Sequence, residues 1–258
     1  MAEHPWYAVL QYCGRDFAGW QSQPAARTVQ GDLEQTLSRL EGQRVMTHAA
    51  GRTDAGVHAL GQVISFSTRR AWEGPDLRRA LNALLPDDIW IERVSAAPAG
   101  FHARKSAMAR VYRYVVGCDD GSRSPFRHPF EWALGRPLDP SALAHVAGLL
   151  TGEHDFRALS TVGQTKPHYR CRVVQANWQA RADGEGFIFT IEADRFLHRM
   201  VRFLVGLSID VALGRRGHDD VTRLLTAHTN ADASPPAPPE GLYLVAVRYP
   251  QLEEDHAQ

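Results

Sequence analysis

The segment GRTDAGVHA (51–59) combines residue types that are unusual in a simple connection between strands. Its two glycines permit a tight backbone and the close approach of a ligand. Between them lie a cation, a hydroxyl and a carboxylate, contributed by Arg52, Thr53 and Asp54. A carboxylate in such a loop can act as a nucleophile or a base, whereas in an ordinary turn it caps local N–H groups. The segment is a candidate catalytic loop, with a capped turn as the alternative.

A second candidate lies on the strand RVYRYVV, where Tyr112 and Tyr114 alternate with Arg113. Alternate side chains of a strand point to one face, so both tyrosines face the same side of the predicted sheet. Such a face can stack on an extruded base, which is worth roughly 1–3 kcal/mol. Packing in a core is the alternative for a strand tyrosine.

Other motifs lack the residues that their chemistry needs. The glycine spacing of GRDFAG (14–19) suits a phosphate loop, but Trp-Gln follows in place of Lys and Ser/Thr. The 12 histidines include no HExxH pattern, and the HxE, PCxxC and GxSxG signatures are absent. Cys171 between two arginines is either an activated thiolate or a small strand residue. The sequence therefore gives no metal or nucleotide-binding signature.

The pattern of apolar residues before residue 100 predicts the order β-α-β-β-α-β. Thr28 is a suitable N-cap for the first helix, and prolines at 75 and 86 bound the second. The predicted elements are strands at 6–13, 44–49, 62–67 and 89–94 and helices at 28–40 and 75–85.

A similar order recurs after a connector. The predicted elements are strands at 109–118, 171–181, 186–191 and 242–249 and helices at 140–150, 196–213 and 219–228. We therefore expect an α+β fold of two ferredoxin-like halves, 1–106 and 107–258, with mostly antiparallel sheets side by side and a cleft between them. The first half would carry the candidate loop. Many functions share this fold, including RNA recognition, so the function must come from the site.

The composition excludes several classes of protein. With 44% hydrophobic and 22% charged residues among 258, the composition excludes a disordered chain, a collagen and a disulfide scaffold. No run of apolar residues reaches the ~18 of a membrane span, and the start lacks the order of a signal peptide. Three cysteines without a CxxC pair fit a reducing cytoplasm better than secretion.

The charges balance overall but not locally. The chain has 29 Lys and Arg against 29 Asp and Glu, and 27 of the cations are arginines. Residues 99–202 carry 15 cations and 10 anions, while Glu253, Glu254 and Asp255 make the tail acidic. Arginine suits bidentate phosphate recognition. Neutrality therefore does not exclude RNA, although it predicts weak non-specific binding and recognition of a folded RNA by shape.

Motifs in order along nearly the whole chain resemble the TruA family of tRNA pseudouridine synthases. They are FAGWQSQPAARTVQGDLEQTL (17–37), GRTDAGVHALGQVISF (51–66), NALLPDDI (82–89), FHARKSAMARVYRY (101–114), GEHDFRAL (152–159), FLHRMVR (196–202) and PPEGLYLVAVRYP (238–250). Two departures are Cys13-Gly14-Arg15, where the family often has Asp-Gly-Thr, and Arg195, where it often has Asn.

The resemblance implies an isomerase that converts uridine to pseudouridine in the tRNA anticodon stem-loop, at positions 38, 39 and 40, without a cofactor or a metal. It assigns the nucleophile to Asp54, which attacks the base or the sugar or removes a ribose proton. It assigns an ion pair with Asp54 to Arg202, which keeps the carboxylate charged where water is scarce. It assigns stacking on the target uracil to Tyr112. Without the resemblance, Arg202 reads as a surface helix residue.

The resemblance also implies a homodimer that binds tRNA. Candidate RNA contacts are Arg52, His58, Arg104, Lys105, Arg110 and Arg199. For each arginine or lysine a solvated surface charge is the alternative, and for His58 a structural role. Two other functions stay open: a non-catalytic RNA-binding protein on the same fold, and a glycosidase, for which the sequence offers no convincing second carboxylate.

Overall fold

The computed structural model describes residues 3–161, 168–250 and 252. The described strands are β1 (His4–Tyr12), β2 (His48–Ala49), β3 (His58–Thr68), β4 (Ile89–Ala96), β5 (Ala109–Gly117), β6 (Trp132–Ala133), β7 (Gly152–Asp155), β8 (Arg170–Ala180), β9 (Gly186–Ala193) and β10 (Leu242–Arg248). The α-helices are α1 (Val29–Glu41), α2 (Gly74–Asn82), α3 (Pro140–Leu150), α4 (Met200–Ala212) and α5 (Asp219–Thr226). The predicted α+β class is confirmed. The acidic tail at 253–255 lies outside the described residues.

The contacts within the chain define two units, residues 1–108 with 243–258 and residues 109–242. From Tyr243 onward, β10 therefore groups with the first unit, although the sequence assigned it to the half 107–258. No helix in the described ranges is long and apolar enough to cross a lipid bilayer.

In the first unit, β1 is the centre of a sheet with the order β4-β1-β3-β10. Ala8 of β1 lies opposite Ile64 of β3 on one side and Val94 of β4 on the other, in antiparallel pairs. β10 joins β3 in parallel, with Tyr243 opposite His58, and β2 pairs antiparallel with β3. This pairing positions the candidate loop, because residues 50–57 connect β2 to β3.

The first helix confirms its predicted start. Thr28 Oγ1 accepts a hydrogen bond from the backbone N–H of Gly31 at 3.2 Å. Such a cap contributes about 1 kcal/mol. Val29, Leu33 and Leu37 form the buried stripe that the spacing predicted.

The predicted strand at 44–49 is mostly wrong, because only His48 and Ala49 pair with β3. The reason is competition from the side chains of α1. The backbone N–H of Val45 donates to Ser38 Oγ at 3.0 Å, and that of Thr47 donates to Glu34 Oε1 at 2.9 Å. These groups are therefore not available for a strand ladder.

The second unit contains a sheet with the order β5-β9-β8-β7, antiparallel throughout, and β6 pairs in parallel with β5. Helix α3 has the predicted bounds and packs against β8 and α4. Helix α4 is buried on almost every side, with 11 of its 13 residues inaccessible. It begins at Met200 and not at 196, because Arg199 has a φ of 61° and cannot continue a right-handed helix.

Candidate active site

The Asp54 side chain sits on a tight turn at the entry to β3. The backbone N–H of Val57 donates to the carbonyl of Asp54 at 3.2 Å, which closes the turn. Gly56 has a φ of 78°, a conformation that favours glycine at this position of a turn. Asp54 is half-buried, and its neighbours Thr53 and Val57 are buried. The loop thus has a fixed backbone and a partly accessible carboxylate.

The segment 14–20 forms a backbone cradle around this loop. The N–H of Trp20 donates to the Thr53 carbonyl at 3.0 Å, and the N–H of Gly56 donates to the Phe17 carbonyl at 3.4 Å. Gly19 has a φ of 101°, and a Cβ there would lie 2.9 Å from the Thr53 oxygen. The glycine spacing that suggested a phosphate loop therefore has another cause, which is close backbone contact with the candidate loop.

Gly14 shows the same requirement at the other end of the cradle. A Cβ on Gly14 would lie 1.9 Å from the carbonyl oxygen of Val57, a distance that no side chain tolerates. Its backbone N–H donates to His58 Nδ1 at 3.2 Å. His58 is only 2% exposed, and its ring stacks on Tyr243 with centroids 4.8 Å apart. The structure gives His58 a supporting role, and its contact with RNA stays a prediction.

A buried hydrogen-bond network lies beneath the loop. The hydroxyls of Tyr12 and Thr53 are 2.8 Å apart. Gln62 Nε2 lies 2.8 Å from the Gly51 carbonyl and 3.4 Å from the Tyr12 hydroxyl, and donates to both. Burial raises the pKa of Tyr12 to about 12, although its bonds to Thr53 and Gln62 oppose the shift. The Tyr12 hydroxyl therefore stays protonated and bonds both to Thr53 in the loop and to Gln62 in β3.

We expect Tyr12→Phe to lower the free energy of unfolding by about 1–3 kcal/mol, because Thr53 and Gln62 each lose a buried partner. Urea denaturation measures this change. Thr53→Val and the double variant complete a mutant cycle, and the double variant should cost less than the sum of the single changes. Additive costs would contradict a direct interaction between Tyr12 and Thr53.

Arg52, Arg104 and Lys105 present exposed cations in the first unit. Arg104 and Lys105 follow Ala103, which is fully buried and fixed by two hydrogen bonds. Its N–H donates to Ser65 Oγ at 3.1 Å, and its carbonyl accepts from the Tyr249 hydroxyl at 2.6 Å. The two cations are therefore displayed from a firmly anchored loop.

The two strand tyrosines of the second unit have different environments. Tyr114 is fully buried, and its hydroxyl donates to the Pro238 carbonyl at 2.7 Å. Burial raises the pKa of Tyr114 well above its usual range, Glu240 adds to the shift, and Arg202 opposes it. Tyr112 is 8% exposed, and its ring meets that of Phe196 edge-on at 4.9 Å. Tyr114 therefore belongs to the core, which leaves Tyr112 as the stacking candidate.

Arg202 lies in the first turn of α4 and is held by the proline-rich loop that follows α5. Its Nε–H donates to the Ala237 carbonyl at 2.6 Å, and its own carbonyl accepts from the Ala237 N–H at 2.9 Å. The loop can approach α4 closely because Gly206 has no side chain. A Cβ at this position would lie only 2.1 Å from the Pro235 oxygen. Arg202 is thus half-buried and held in one orientation, unlike a surface helix arginine.

The remaining predicted contacts lie on β5 and before α4. Arg110 Nη1 donates to the Asp194 carbonyl at 3.0 Å. Arg199 is exposed and adopts the left-handed conformation, which costs roughly 1–2 kcal/mol for a residue with a side chain. Arg195, the departure from the family pattern, lies 3.2 Å from His168 Nε2 through its Nη1.

The structure thus brings the predicted residues together in two groups. In the first unit, Arg52 and Asp54 lie on the loop between β2 and β3, and His58 is the first residue of β3. Tyr112 and Arg202 belong to the second unit, together with Arg110 and Arg199. Within residues 3–161, 168–250 and 252, no cluster of three or more His, Cys, Asp or Glu side chains is arranged to hold a metal ion.

Comparison with known proteins identifies the class to which this site belongs. The sequence profile of a family described as tRNA pseudouridine synthase matches residues 8–104 and 146–250. The chain belongs to this family, whose members are isomerases. Asp54 and Arg202 lie in the matched segments, and Tyr112 lies between them.

Individual relatives extend the match to nearly the whole chain. A protein of Dictyoglomus turgidum is 39% identical over 246 residues, which cover 95% of this chain and 99% of the relative. One of Moorella thermoacetica is 42% identical over 93% of this chain and 98% of its own. One of Geobacillus kaustophilus is 41% identical over 93% of both. Each relative is named tRNA pseudouridine synthase A.

Proposed function

We propose that the chain isomerises uridine to pseudouridine at positions 38, 39 and 40 in the anticodon stem-loop of tRNA, with Asp54 as the nucleophile. The C1′–N1 bond breaks, the uracil turns, and a C1′–C5 bond forms. The hydrogen on C5 leaves as a proton while N1 gains one, so the reaction needs no oxidant and no group donor. The observation that carries the proposal is the family match, which includes the Asp54 loop.

The surroundings of Asp54 suit a group that must be ready before the substrate arrives. The cradle at 14–20 and the buried network of Tyr12 fix the backbone of the loop through hydrogen bonds. A fixed carboxylate reduces the entropy lost when the reacting atoms meet. Attack on the base, attack on the sugar and removal of a ribose proton all begin at this carboxylate.

The two units would supply complementary groups in a cleft between ferredoxin-like halves, 1–106 and 107–258. In support, the first unit has the element order β-α-β-β-α-β and the sheet order β4-β1-β3. Arg202 would pair with Asp54 and keep it ionised, and in support its bond to Ala237 holds the Arg202 side chain in one orientation. Tyr112 would stack on the extruded uracil.

The tRNA would be held by phosphate contacts from Arg52, Arg104, Lys105, Arg110 and Arg199, with His58 at the edge of the loop. Exposure of Arg52, Arg104, Lys105 and Arg199 supports this assignment. We further propose a cytoplasmic homodimer in which one tRNA contacts both subunits.

Tyr112 gives a test of stacking against proton transfer. Tyr112→Phe keeps the ring and its edge contact with Phe196, so we expect kcat/KM within about threefold of the wild type. Tyr112→Ala should lower kcat/KM by roughly 5- to 150-fold, the equivalent of 1–3 kcal/mol of stacking. Equal losses in both variants would instead assign the essential role to the hydroxyl.

Transcripts with one candidate uridine each test the position of the reaction. Four tRNA transcripts carry uridine at 38, at 39, at 40 or at none of these positions, and each is incubated with the enzyme. We expect pseudouridine in the first three and none in the fourth. Tight binding of all four without product would favour a non-catalytic RNA-binding protein.

A further inference from the structure

A groove opens in the first unit where β3 continues beyond its pairing with β2. The pairing ends at His48 opposite Ser65, whereas β3 runs on to Thr68. The segment before β2 is drawn away by its bonds to α1. The gap between the two is a groove of about 300 Å³, which we call the edge groove, and its lining includes Arg44, His48, Ser67, Arg69 and Glu3.

Two exposed arginines dominate the charge of the edge groove. Arg44 and Arg69 form no ion pair with any residue in the described part of the chain, and Glu3 is the carboxylate in the lining. Glu41 accepts hydrogen bonds from the backbone N–H groups of Arg69 and Arg70 at 2.8 and 3.2 Å. Glu41 thereby fixes the backbone directly after β3. The guanidinium groups of Arg44 and Arg69 are available to bind an anion.

The positive surface continues from the edge groove towards Lys105. The ring of His48 stacks on that of His102, with centroids 4.8 Å apart. The N–H of Arg104 donates to His102 Nδ1 at 3.1 Å, and Lys105 is the next residue. Burial lowers the pKa of His102, and the charges of His48, Lys105 and Arg104 lower it further. Arg104 and Lys105 therefore supply the positive charge of one band, and the stacked rings of His48 and His102 connect this band to the edge groove.

The edge groove is also connected to the candidate loop through a short stretch of chain that includes β2. Residues 44, 46 and 48 are exposed and residues 45 and 47 are buried, and the chain continues through Arg52 to Asp54. Ten residues of extended chain span at most about 35 Å. An anion held at Arg44 would thus be linked to Asp54 by backbone that is paired and anchored along its length.

We propose that the edge groove binds backbone phosphates of the tRNA away from the nucleotide that is isomerised, with Arg44 and Arg69 as the main contacts. The identity of the RNA rests on the proposed function. A guanidinium group offers planar, bidentate recognition of a phosphate. A peptide that added a strand to β3 is the competing occupant, but the two arginines and the adjoining cationic band favour a polyanion.

The test compares tRNA binding by the wild-type chain with that of Arg44→Ala, Arg69→Ala and the double variant over 50–200 mM salt. Each contact with a phosphate contributes about one unit to the slope of log affinity against log salt concentration. We expect the double variant to bind about tenfold more weakly near 100 mM salt and to have a slope smaller by about two. Arg79→Ala is the matched control, because Arg79 is an exposed helix arginine that pairs with Asp76 and lies outside the lining of the edge groove.

Unchanged affinity and slope in the double variant would overturn the proposal, as would equal losses in the Arg79 control. A wild-type chain that does not bind tRNA would overturn it too. Because binding is measured directly, a chain that binds tRNA but forms no pseudouridine would refute the proposed function alone. The variants would still decide whether the edge groove holds phosphates.

Discussion

Asp54→Asn should abolish pseudouridine formation, with a loss of roughly 10⁴-fold or more in turnover, while tRNA binding stays within a few fold of the wild type. The change removes the charge and the nucleophilic oxygen but keeps the shape of the side chain. It also leaves the turn intact, because the bond from the Val57 N–H is accepted by the Asp54 backbone carbonyl. Single-turnover assays and direct binding of labelled tRNA measure the two quantities separately.

Asp16→Asn is the matched control for this experiment. Asp16 is an exposed carboxylate on the same cradle that holds the Asp54 loop, and we give it no part in the chemistry. We expect its turnover to equal that of the wild type. An Asp54→Asn protein that turns over within tenfold of the wild type would remove Asp54 from its proposed role.

Arg202→Met should lower kcat/KM by roughly 10²-fold or more. Removing one partner of a buried ion pair typically costs about 3–5 kcal/mol, and each 1.36 kcal/mol is a factor of ten in rate. The same change deprives the Ala237 carbonyl of its hydrogen bond, so thermal unfolding must be measured alongside activity. A loss of activity with only a few degrees' change in the midpoint of thermal unfolding would assign the effect to the active site and not to stability.

Two further variants separate charge from structure at Arg202. Arg202→Lys keeps the positive charge, but a single ammonium group cannot bond to the Ala237 carbonyl and to the Asp54 carboxylate in the geometry of a guanidinium. This variant should therefore recover only part of the activity. Arg215→Met changes an arginine just beyond α4 that pairs with Asp210 at 3.1 Å, and it should be nearly as active as the wild type. Near-normal activity in Arg202→Met would rule out the proposed pair.

Local signals in the sequence were sufficient for several elements. The N-cap at Thr28 and the bounds of α3 follow from residues within one turn of the helix. The strand at 44–49 failed because its N–H groups bond to Ser38 and Glu34, and no local pattern reports that competition. The start of α4 was missed because the left-handed Arg199 gives no signal in its residue type.

The candidate site likewise has a part that the sequence predicted and a part that only the structure shows. The loop at 51–59 was evident from its residue types, whereas its supports were not. Tyr12 and Thr53 are 41 residues apart, and Gln62 lies in an ordinary strand pattern, so their network is visible only in three dimensions. The glycine spacing at 14–19 did carry a signal, but the signal was for backbone contact and not for phosphate.

The net charge of zero gave no indication of the cationic edge groove. An equal number of cations and anions gave no reason to single out Arg44 or Arg69, since neither lies in a recognisable motif. Their significance comes from the divergence of two segments at the edge of β3, which leaves both guanidinium groups beside one groove.

The central claim is that this chain moves the glycosidic bond of uridine from N1 to C5, and tritium release tests it most directly. tRNA labelled at C5 of uridine loses its tritium to water only when C5 becomes bonded to the sugar. We predict that the wild-type chain releases tritium in step with pseudouridine formation and that Asp54→Asn releases none. Retention of all tritium by tRNA that the wild-type chain has bound would contradict the account.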